Sequence, residues 1–193
     1  LHMDGMKPHA DRAVPVAICD PDPAMLAKRA ADHNVPRTYD SAEAMIRAGG
    51  IDVAIVGTPT PIRYDVVAPL LDAGIPVLIE KPLSETYAEA ARIVAKSRET
   101  GVPAAVNQSF RRNFCFSVAR DILRSGECGK PLHLTHVTKY LRSDKGWRLT
   151  RHRYVMAIMS IHWFDGYRWL LGEEPDSVYC RGVASPLSAG RDA

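Results

Sequence analysis

The chain has 193 residues, of which 46% are hydrophobic and 24% are charged, and this composition is typical of a soluble protein with one large or two small domains. Its net charge is +3 and its lysines and arginines are scattered, which argues against a nucleic-acid partner. No apolar run approaches the roughly 20 residues that a membrane-spanning helix needs, so we expect no membrane partner.

The first third of the chain predicts one strand and two helices. Val14–Cys19 is mostly apolar and predicts a strand that stops at an acid. Asp22 is placed to cap a helix at about Ala24–His33, with a proline at its first position. Ser41 is placed to cap a short helix that ends at Ala48, before two glycines.

The next stretch alternates strands and helices. Asp52–Gly57 is a predicted buried strand, and a turn rich in threonine and proline follows it. A helix at about Tyr64–Asp72 leads to the buried strand Val77–Ile79. Thr86 fits a capping box for a helix that reaches about Thr100, and a further strand follows at residues 102–106. This alternation predicts a Rossmann-like, doubly wound parallel sheet, so the class is α/β.

After residue 108 the pattern changes. Helices are predicted at Phe114–Arg124 and at about Val155–Leu171, with a polar loop at Ser143–Arg153. Leu132–Tyr140 alternates as a half-exposed strand does, and Ser177–Val183 is a further candidate strand. We therefore expect a nucleotide-binding domain at residues 1–108 and a partial α+β domain with a mostly antiparallel sheet at residues 109–193.

The four cysteines are far apart, and none forms a C-x-x-C pair. This spacing argues against a zinc site or a redox dithiol and favours reduced thiols in a cytoplasmic protein. The histidine spacings match no familiar ligand pattern, so no metal is expected.

Glu80, Lys81 and Pro82 follow the strand Val77–Ile79 directly. In open α/β sheets the carboxyl ends of the strands are where ligands bind. Pro82 restricts the backbone of Lys81, and the bond between them is a candidate cis peptide. Lys81 can serve as a general acid or base. The alternative is that Glu80 and Lys81 are a solvated charge pair at the start of a loop.

Asp20 ends the first predicted strand, where a dinucleotide-binding unit places an acid that accepts hydrogen bonds from the adenosine ribose. Such an acid repels a 2′-phosphate and so predicts NAD over NADP. The alternative is that Asp20 caps the following helix. No G-x-G-x-x-G loop occurs in the sequence, and both ends of the chain have the character of an element interior, so we expect a piece of a longer protein.

His162 lies on the predicted helix Val155–Leu171, and Asp165 is three residues further on the same face. A carboxylate at this spacing can orient an imidazole, which makes the pair a candidate for proton transfer. The alternative is that His162 packs against Trp163 or Trp169 as an ordinary buried side chain.

Several segments together resemble one family, the glucose–fructose oxidoreductase, inositol dehydrogenase and rhizopine catabolism (Gfo/Idh/MocA) oxidoreductases. The most specific is the Glu-Lys-Pro corner within Asp72–Leu83. The segments that carry the resemblance are Ala17–Asp22, Ala54–Pro59, Asp72–Leu83, Val106–Arg111, Ser125–Pro131 and Ile161–Asp165. They follow the family's order and its usual spacing.

The resemblance implies hydride transfer between a nicotinamide and a hydroxyl-bearing carbon of a sugar or polyol. It assigns the proton transfer to Lys81 and an assisting role to His162. It also implies a carboxyl-terminal domain that often forms a homo-oligomer. The positions that it places beside the cofactor are Thr58, Pro59, Thr60, Glu80 and Gln108.

Two positions depart from the family pattern. Ile158 replaces an aspartate that many members carry four residues before the histidine, and Arg63 replaces a histidine found after the Thr-Pro turn. The leading hypothesis is an NAD-dependent dehydrogenase. An NAD-using glycosidase of the same family and a non-catalytic sugar- or nucleotide-binding protein remain alternatives. Candidate substrate residues are Arg111, Arg112, Tyr140, Trp147 and Arg148.

Overall fold

The computed structural model describes residues 2–139 and 155–182. The chain divides into two compact units, Leu1–Val106 and Asn107–Ala193. Within the described ranges, no helix combines the length and the apolar character needed to cross a membrane.

The first unit alternates short strands and helices. After the helix α1 (His2–Met6) come β1 (Ala17–Cys19), α2 (Pro23–His33), β2 (Arg37–Tyr39), α3 (Ala42–Ala48), β3 (Ala54–Val56), α4 (Arg63–Asp72), β4 (Val77–Ile79), α5 (Tyr87–Thr100) and β5 (Ala104–Val106). One-turn 3₁₀ helices lie at Lys7–His9 and Thr60–Ile62.

Every strand pair among the described residues is parallel, which confirms the α/β class, but the strands form two sheets. β1 pairs with β2, while β4 lies between β3 and β5. The single continuous sheet that the sequence predicts is not seen, because no described strand lies between β1 and β3 to bond to both. The strand β2 is an addition, since its short polar sequence gave no strand signal.

Local capping follows the sequence closely. The Asp22 side chain accepts hydrogen bonds from the first backbone amides of α2, and Ser41 and Thr86 cap α3 and α5 in the same way. Gly101 ends α5 with a positive φ, a conformation that glycine adopts at little cost. These caps fix where each helix starts relative to the strand before it.

The core of the first unit lies between the three-stranded sheet and the helices α4 and α5. Its side chains come from alternate positions of β3 and β4 and from the inner faces of the helices. The buried members are Ala54, Val56, Val67, Leu70, Leu71, Ile75, Val77, Ile79 and Ile93. This packing buries Val77 and Ile79 of β4 almost completely, so the strand that leads into Glu80 and Lys81 is anchored in the core.

The described residues of the second unit are mainly helical. A 3₁₀ segment at Ser109–Arg112 leads into α6 (Phe114–Ser125), and a π-helical segment at Val155–Ser160 leads into α7 (Ile161–Leu171). The antiparallel sheet predicted here is not confirmed, because residues 132–139 and 177–182 form no strand. Alternating side chains do not suffice to define a strand where no described segment lies alongside to supply hydrogen bonds.

Helices α6 and α7 approach closely at Gly166. A Cβ atom at this position would lie 2.7 Å from Cε1 of the Phe116 ring. Any side chain at residue 166 would therefore displace the ring, so the absence of a side chain sets how near the two helices lie.

Candidate functional site

Glu80 and Lys81 lie at the carboxyl end of the buried strand β4, as the sequence predicts. The backbone N–H of Glu80 donates to the carbonyl oxygen of Val56 at 2.9 Å, so β3 and β4 end side by side. The bond between Lys81 and Pro82 is cis, which confirms the candidate cis peptide. The Lys81 side chain is partly exposed and Pro82 is buried.

Arg63, at the start of α4, hydrogen bonds to the backbone of the Glu80–Pro82 corner. The residue is only 4% exposed. Its Nη1 donates to the carbonyl oxygens of Glu80, at 2.8 Å, and of Pro82, and its Nη2 donates to the carbonyl oxygen of Thr58. One guanidinium thus joins the ends of two neighbouring strands.

Burial lowers the pKa of the Arg63 guanidinium, and the nearby Glu80 carboxylate acts in the opposite direction. The group stays a cation at neutral pH because an arginine pKa starts so high. The sequence marks Arg63 only as a departure from a family pattern. Nothing in the local sequence indicates that its side chain reaches the Glu80–Pro82 backbone.

The Glu80 carboxylate is also engaged. Its Oε1 lies 2.5 Å from Nε2 of His2 on α1, and its Oε2 accepts a hydrogen bond from the Lys81 backbone N–H at 3.2 Å. The contact with His2 places a titratable side chain beside the corner. His2 and Glu80 are far apart in sequence, so no sequence pattern could indicate it.

The turn after β3 contains the Thr58, Pro59 and Thr60 predicted to border the cofactor. Thr60 is buried and its hydroxyl donates to Glu85 at 2.6 Å. Pro59 precedes the 3₁₀ turn at Thr60–Ile62. The Thr58 hydroxyl is buried and has no hydrogen-bond partner among the described residues. A buried hydroxyl in this state is what a polar group of a bound ligand can satisfy.

Asp20 follows β1, and its backbone N–H donates to the Tyr39 carbonyl oxygen at 3.2 Å. Its side chain accepts one hydrogen bond, from the Asp22 backbone N–H at 2.9 Å. The alternative that Asp20 caps the following helix is wrong, because Asp22 does so. The Asp20 carboxylate is therefore not used by the helix end.

In the second unit, His162 is 8% exposed, and its ring stacks on Phe110 with centroids 4.3 Å apart and planes 13° apart. The sequence suggested that Trp163 or Trp169 would be the packing partner. The stacking ring is instead Phe110, from the 3₁₀ segment, and Trp163 meets Phe110 edge-on. Stacking fixes the plane of the imidazole.

Asp165 forms a two-point ion pair with Arg111. The Nε and Nη2 atoms of Arg111 donate to the two carboxylate oxygens of Asp165 at 2.7 and 2.5 Å. This hydrogen bonding raises the pKa of Arg111, which burial opposes. The sequence predicts that Asp165 orients His162 and that Arg111 contacts substrate. The structure joins Asp165 and Arg111 to each other.

Of the remaining residues predicted to contact cofactor or substrate, some are described by the structure and others are not. Gln108 precedes the 3₁₀ segment, and its buried Oε1 has no hydrogen-bond partner within the described ranges. Arg112 ends that segment and is exposed. Tyr140, Trp147 and Arg148 lie outside the described residues.

Comparison with known sequences places both parts of the chain. Residues 1–108 match the profile of the GFO_IDH_MocA group, described as an oxidoreductase family with an NAD-binding Rossmann fold. Residues 116–191 match the profile of the GFO/IDH/MocA C-terminal domain. The two profiles follow each other in the order in which the two units occur.

Individual proteins with similar sequences are dehydrogenases. The D-apiose dehydrogenase of Paraburkholderia graminis is 28% identical, over 94% of this chain and 49% of its own length. The inositol 2-dehydrogenase of Corynebacterium glutamicum is 28% identical, over 92% and 52%. The WlbA dehydrogenase of Bordetella pertussis, solved with NADH and UDP-GlcNAcA, has a TM-score of 0.63 at 28% identity, covering 67% of this chain and 37% of that one. The chain spans about half the length of the curated relatives that it matches.

Proposed function

The chain belongs to the Gfo/Idh/MocA oxidoreductase family, and from that membership we propose that the protein is an NAD-dependent oxidoreductase. Its substrate is a sugar or polyol, and the reaction moves a hydride between the nicotinamide and a hydroxyl-bearing carbon. The similarity to dehydrogenases of apiose and inositol supports this substrate class. The observation that carries the proposal is the position of Lys81 at the carboxyl end of β4, beside the end of β3.

The first unit offers groups that fit the cofactor. Asp20 has a carboxylate that the α2 cap does not use, and it is suited to the two hydroxyls of an adenosine ribose. The Thr58 hydroxyl, buried without a partner among the described residues, suits a polar group nearer the nicotinamide. Pro59, Thr60, Glu80 and Gln108 complete the proposed cofactor-binding set. The glycine-rich phosphate loop is not among these 193 residues.

In the proposed mechanism the Nζ atom of Lys81 accepts the proton of the substrate hydroxyl. A nicotinamide held by the proposed cofactor-binding residues would supply the acceptor for the hydride of the same carbon, which would leave that carbon as a carbonyl. Lys81 then returns the proton to water. In the reverse direction Lys81 donates it. His162 assists by hydrogen bonding to the substrate, and the Arg111–Asp165 pair holds the 3₁₀ segment whose Phe110 stacks on His162.

Several coarser features accompany this proposal. We propose that residues 1–108 form the nicotinamide-binding domain and residues 109–193 part of a substrate and assembly domain, so the whole protein is a homo-oligomer. All four cysteines are free thiols, which supports a reducing, cytoplasmic location. Light scattering on the full-length protein tests the oligomeric state.

The proposed function is tested with the full-length protein that contains this chain. A panel of myo-inositol, D-apiose and common aldoses is followed by the absorbance of NADH as NAD is reduced. Turnover of at least one member supports an oxidoreductase. Nicotinamide binding without turnover of any member supports a binding protein and contradicts the proposal. Release of sugar from an aryl glycoside without net NADH supports the glycosidase alternative.

Replacing Asp20 with asparagine should raise the KM for NAD about tenfold, because an amide loses the charge-assisted hydrogen bonds of a carboxylate. The KM for NADP should fall, since the repulsion of its 2′-phosphate is removed. Steady-state kinetics with both cofactors measure the change.

Asp22→Asn is the matched control for this substitution. It makes the same chemical change two residues away, and asparagine caps a helix as well as aspartate does. We expect its KM values to stay within about twofold of the wild type. Equal effects of the two substitutions would show that Asp20 acts on the fold of β1 and not on the cofactor.

A further inference from the structure

One guanidinium binds three backbone carbonyls around Lys81. The carbonyl groups of Glu80 and Pro82 lie on either side of Lys81 in the chain, and both accept from Nη1 of Arg63. The third carbonyl, that of Thr58, belongs to the turn after the neighbouring strand and accepts from Nη2. The two segments proposed to meet the substrate and the cofactor are thus tied through one side chain.

These contacts restrict motion just past the end of β4. The strand ends at Ile79, and the Glu80 N–H, which donates to the Val56 carbonyl oxygen at 2.9 Å, still ties the next residue to β3. Arg63 supplies further hydrogen bonds at this point, from the first residue of α4. Because Arg63 binds the backbone before and after Lys81, it limits how far the Cα atom of Lys81 can shift relative to the Thr58 turn.

An arginine is better suited to bind these three carbonyl groups than an apolar side chain of similar size. A buried apolar side chain would avoid the cost of desolvating a cation, but it would leave three carbonyl groups, in buried or partly buried surroundings, without this donor. A planar guanidinium has five donors in a fixed arrangement, so it can serve several acceptors at once. A lysine at the same position has one compact ammonium group and could not span the three carbonyls in the same way.

We propose that Arg63 is a positioning residue for proton transfer: it sets the place of Lys81 relative to the Thr58 turn. The inference rests on the proposed function for its kinetic consequence. Its structural part, the control of the 80–82 backbone, stands independently of any activity. The two parts are therefore measured separately.

Arg37 provides a matched control in the same unit. Its guanidinium also donates to three backbone carbonyls, those of Val16 at 3.3 Å and of Gly49 and Gly50 at 2.8 Å each. None of these belongs to the ends of β3 or β4. Arg37→Met therefore removes the same number of arginine–carbonyl bonds without touching the Lys81 corner.

The first experiment measures amide hydrogen exchange in the full-length protein without ligand. In Arg63→Met, residues 57–62 and 79–85 should exchange about tenfold faster, while β1 and α2 keep the wild-type rate. In Arg37→Met the faster exchange should appear around residues 16 and 48–51 instead. Unchanged exchange at residues 79–85 in Arg63→Met would overturn the proposal, and so would a uniform increase over the whole first unit.

The second experiment measures kinetics on the panel sugar that the wild type turns over fastest. Arg63→Met should lower kcat about tenfold with the KM values for sugar and NAD within about threefold, because a displaced amine slows the chemical step more than binding. The kcat of Arg63→Lys should lie between those of the wild type and Arg63→Met. The kcat of Arg37→Met should match that of the wild type. Equal losses in both methionine variants would overturn the positioning role. If the wild type turns over no sugar, the proposed function fails, and the exchange data alone decide whether Arg63 holds the corner.

Discussion

Lys81→Met should lower kcat for sugar oxidation by about a thousandfold, within the range that a positioned general acid or base contributes. Methionine fills similar space but cannot accept a proton. The backbone of residue 81 is held through its neighbours by Arg63, so the corner should keep its conformation. Binding of NADH, measured by fluorescence titration, should change by no more than about threefold.

Two further variants separate proton transfer from charge. Lys81→Arg keeps a cation but cannot lose its proton at accessible pH, so it should be as inactive as Lys81→Met. Lys28→Met removes an exposed lysine of α2 and should leave kcat unchanged. Activity within about tenfold of the wild type in Lys81→Arg would mean that residue 81 supplies only charge, and the proposed mechanism would fail.

Asp165→Asn should reduce the stability of the second unit by about 2 kcal/mol. Asp165 has a side chain only 10% exposed, and both its oxygens bind Arg111. Loss of a buried partner usually costs more than this, but the Arg111 side chain is 44% exposed, so water partly compensates. All three tryptophans lie in the second unit, so tryptophan fluorescence during urea unfolding reports on it.

The exposed pair between Arg168 and Glu174 is the matched control. It has the same two-point geometry, at 2.6 and 2.7 Å, but its side chains are 49% and 70% exposed. Glu174→Gln should therefore cost no more than about 0.5 kcal/mol. Similar losses in the two variants would show that burial of Asp165 adds nothing to the pair.

Features set by neighbouring residues could be predicted from the sequence. Asp22, Ser41 and Thr86 cap their helices because a cap needs only a short polar side chain and the next two or three backbone amides. The place of Lys81 after β4 follows in the same way, since an apolar triplet bounded by charge and proline predicts a buried strand that ends there.

Features that depend on a partner could not be predicted. The strand β2 is short and polar, and it exists because β1 offers parallel hydrogen bonds. Residues 132–139 have the alternation of a strand but no described partner, and they form none. A periodic pattern records which side of a segment is apolar, and it does not record what lies beside it.

The candidate site shows the same limit. Arg63 reaches Glu80 and Pro82, and Phe110 stacks on His162, across long stretches of sequence. Such contacts arise only when elements pack, so residue type and spacing could not indicate them. Family resemblance selects Lys81 and His162 as candidates but says nothing about what holds either one in place.

The close approach of α6 and α7 restricts the order in which mutations can accumulate. Alanine at residue 166 would collide with the Phe116 ring, whereas leucine at residue 116 leaves the backbone of Gly166 untouched. A lineage that changes both positions is therefore expected to shrink Phe116 first, because the reverse order passes through an overpacked intermediate. The two sites should show strong epistasis, and homologues with alanine at residue 166 should carry a smaller side chain at residue 116.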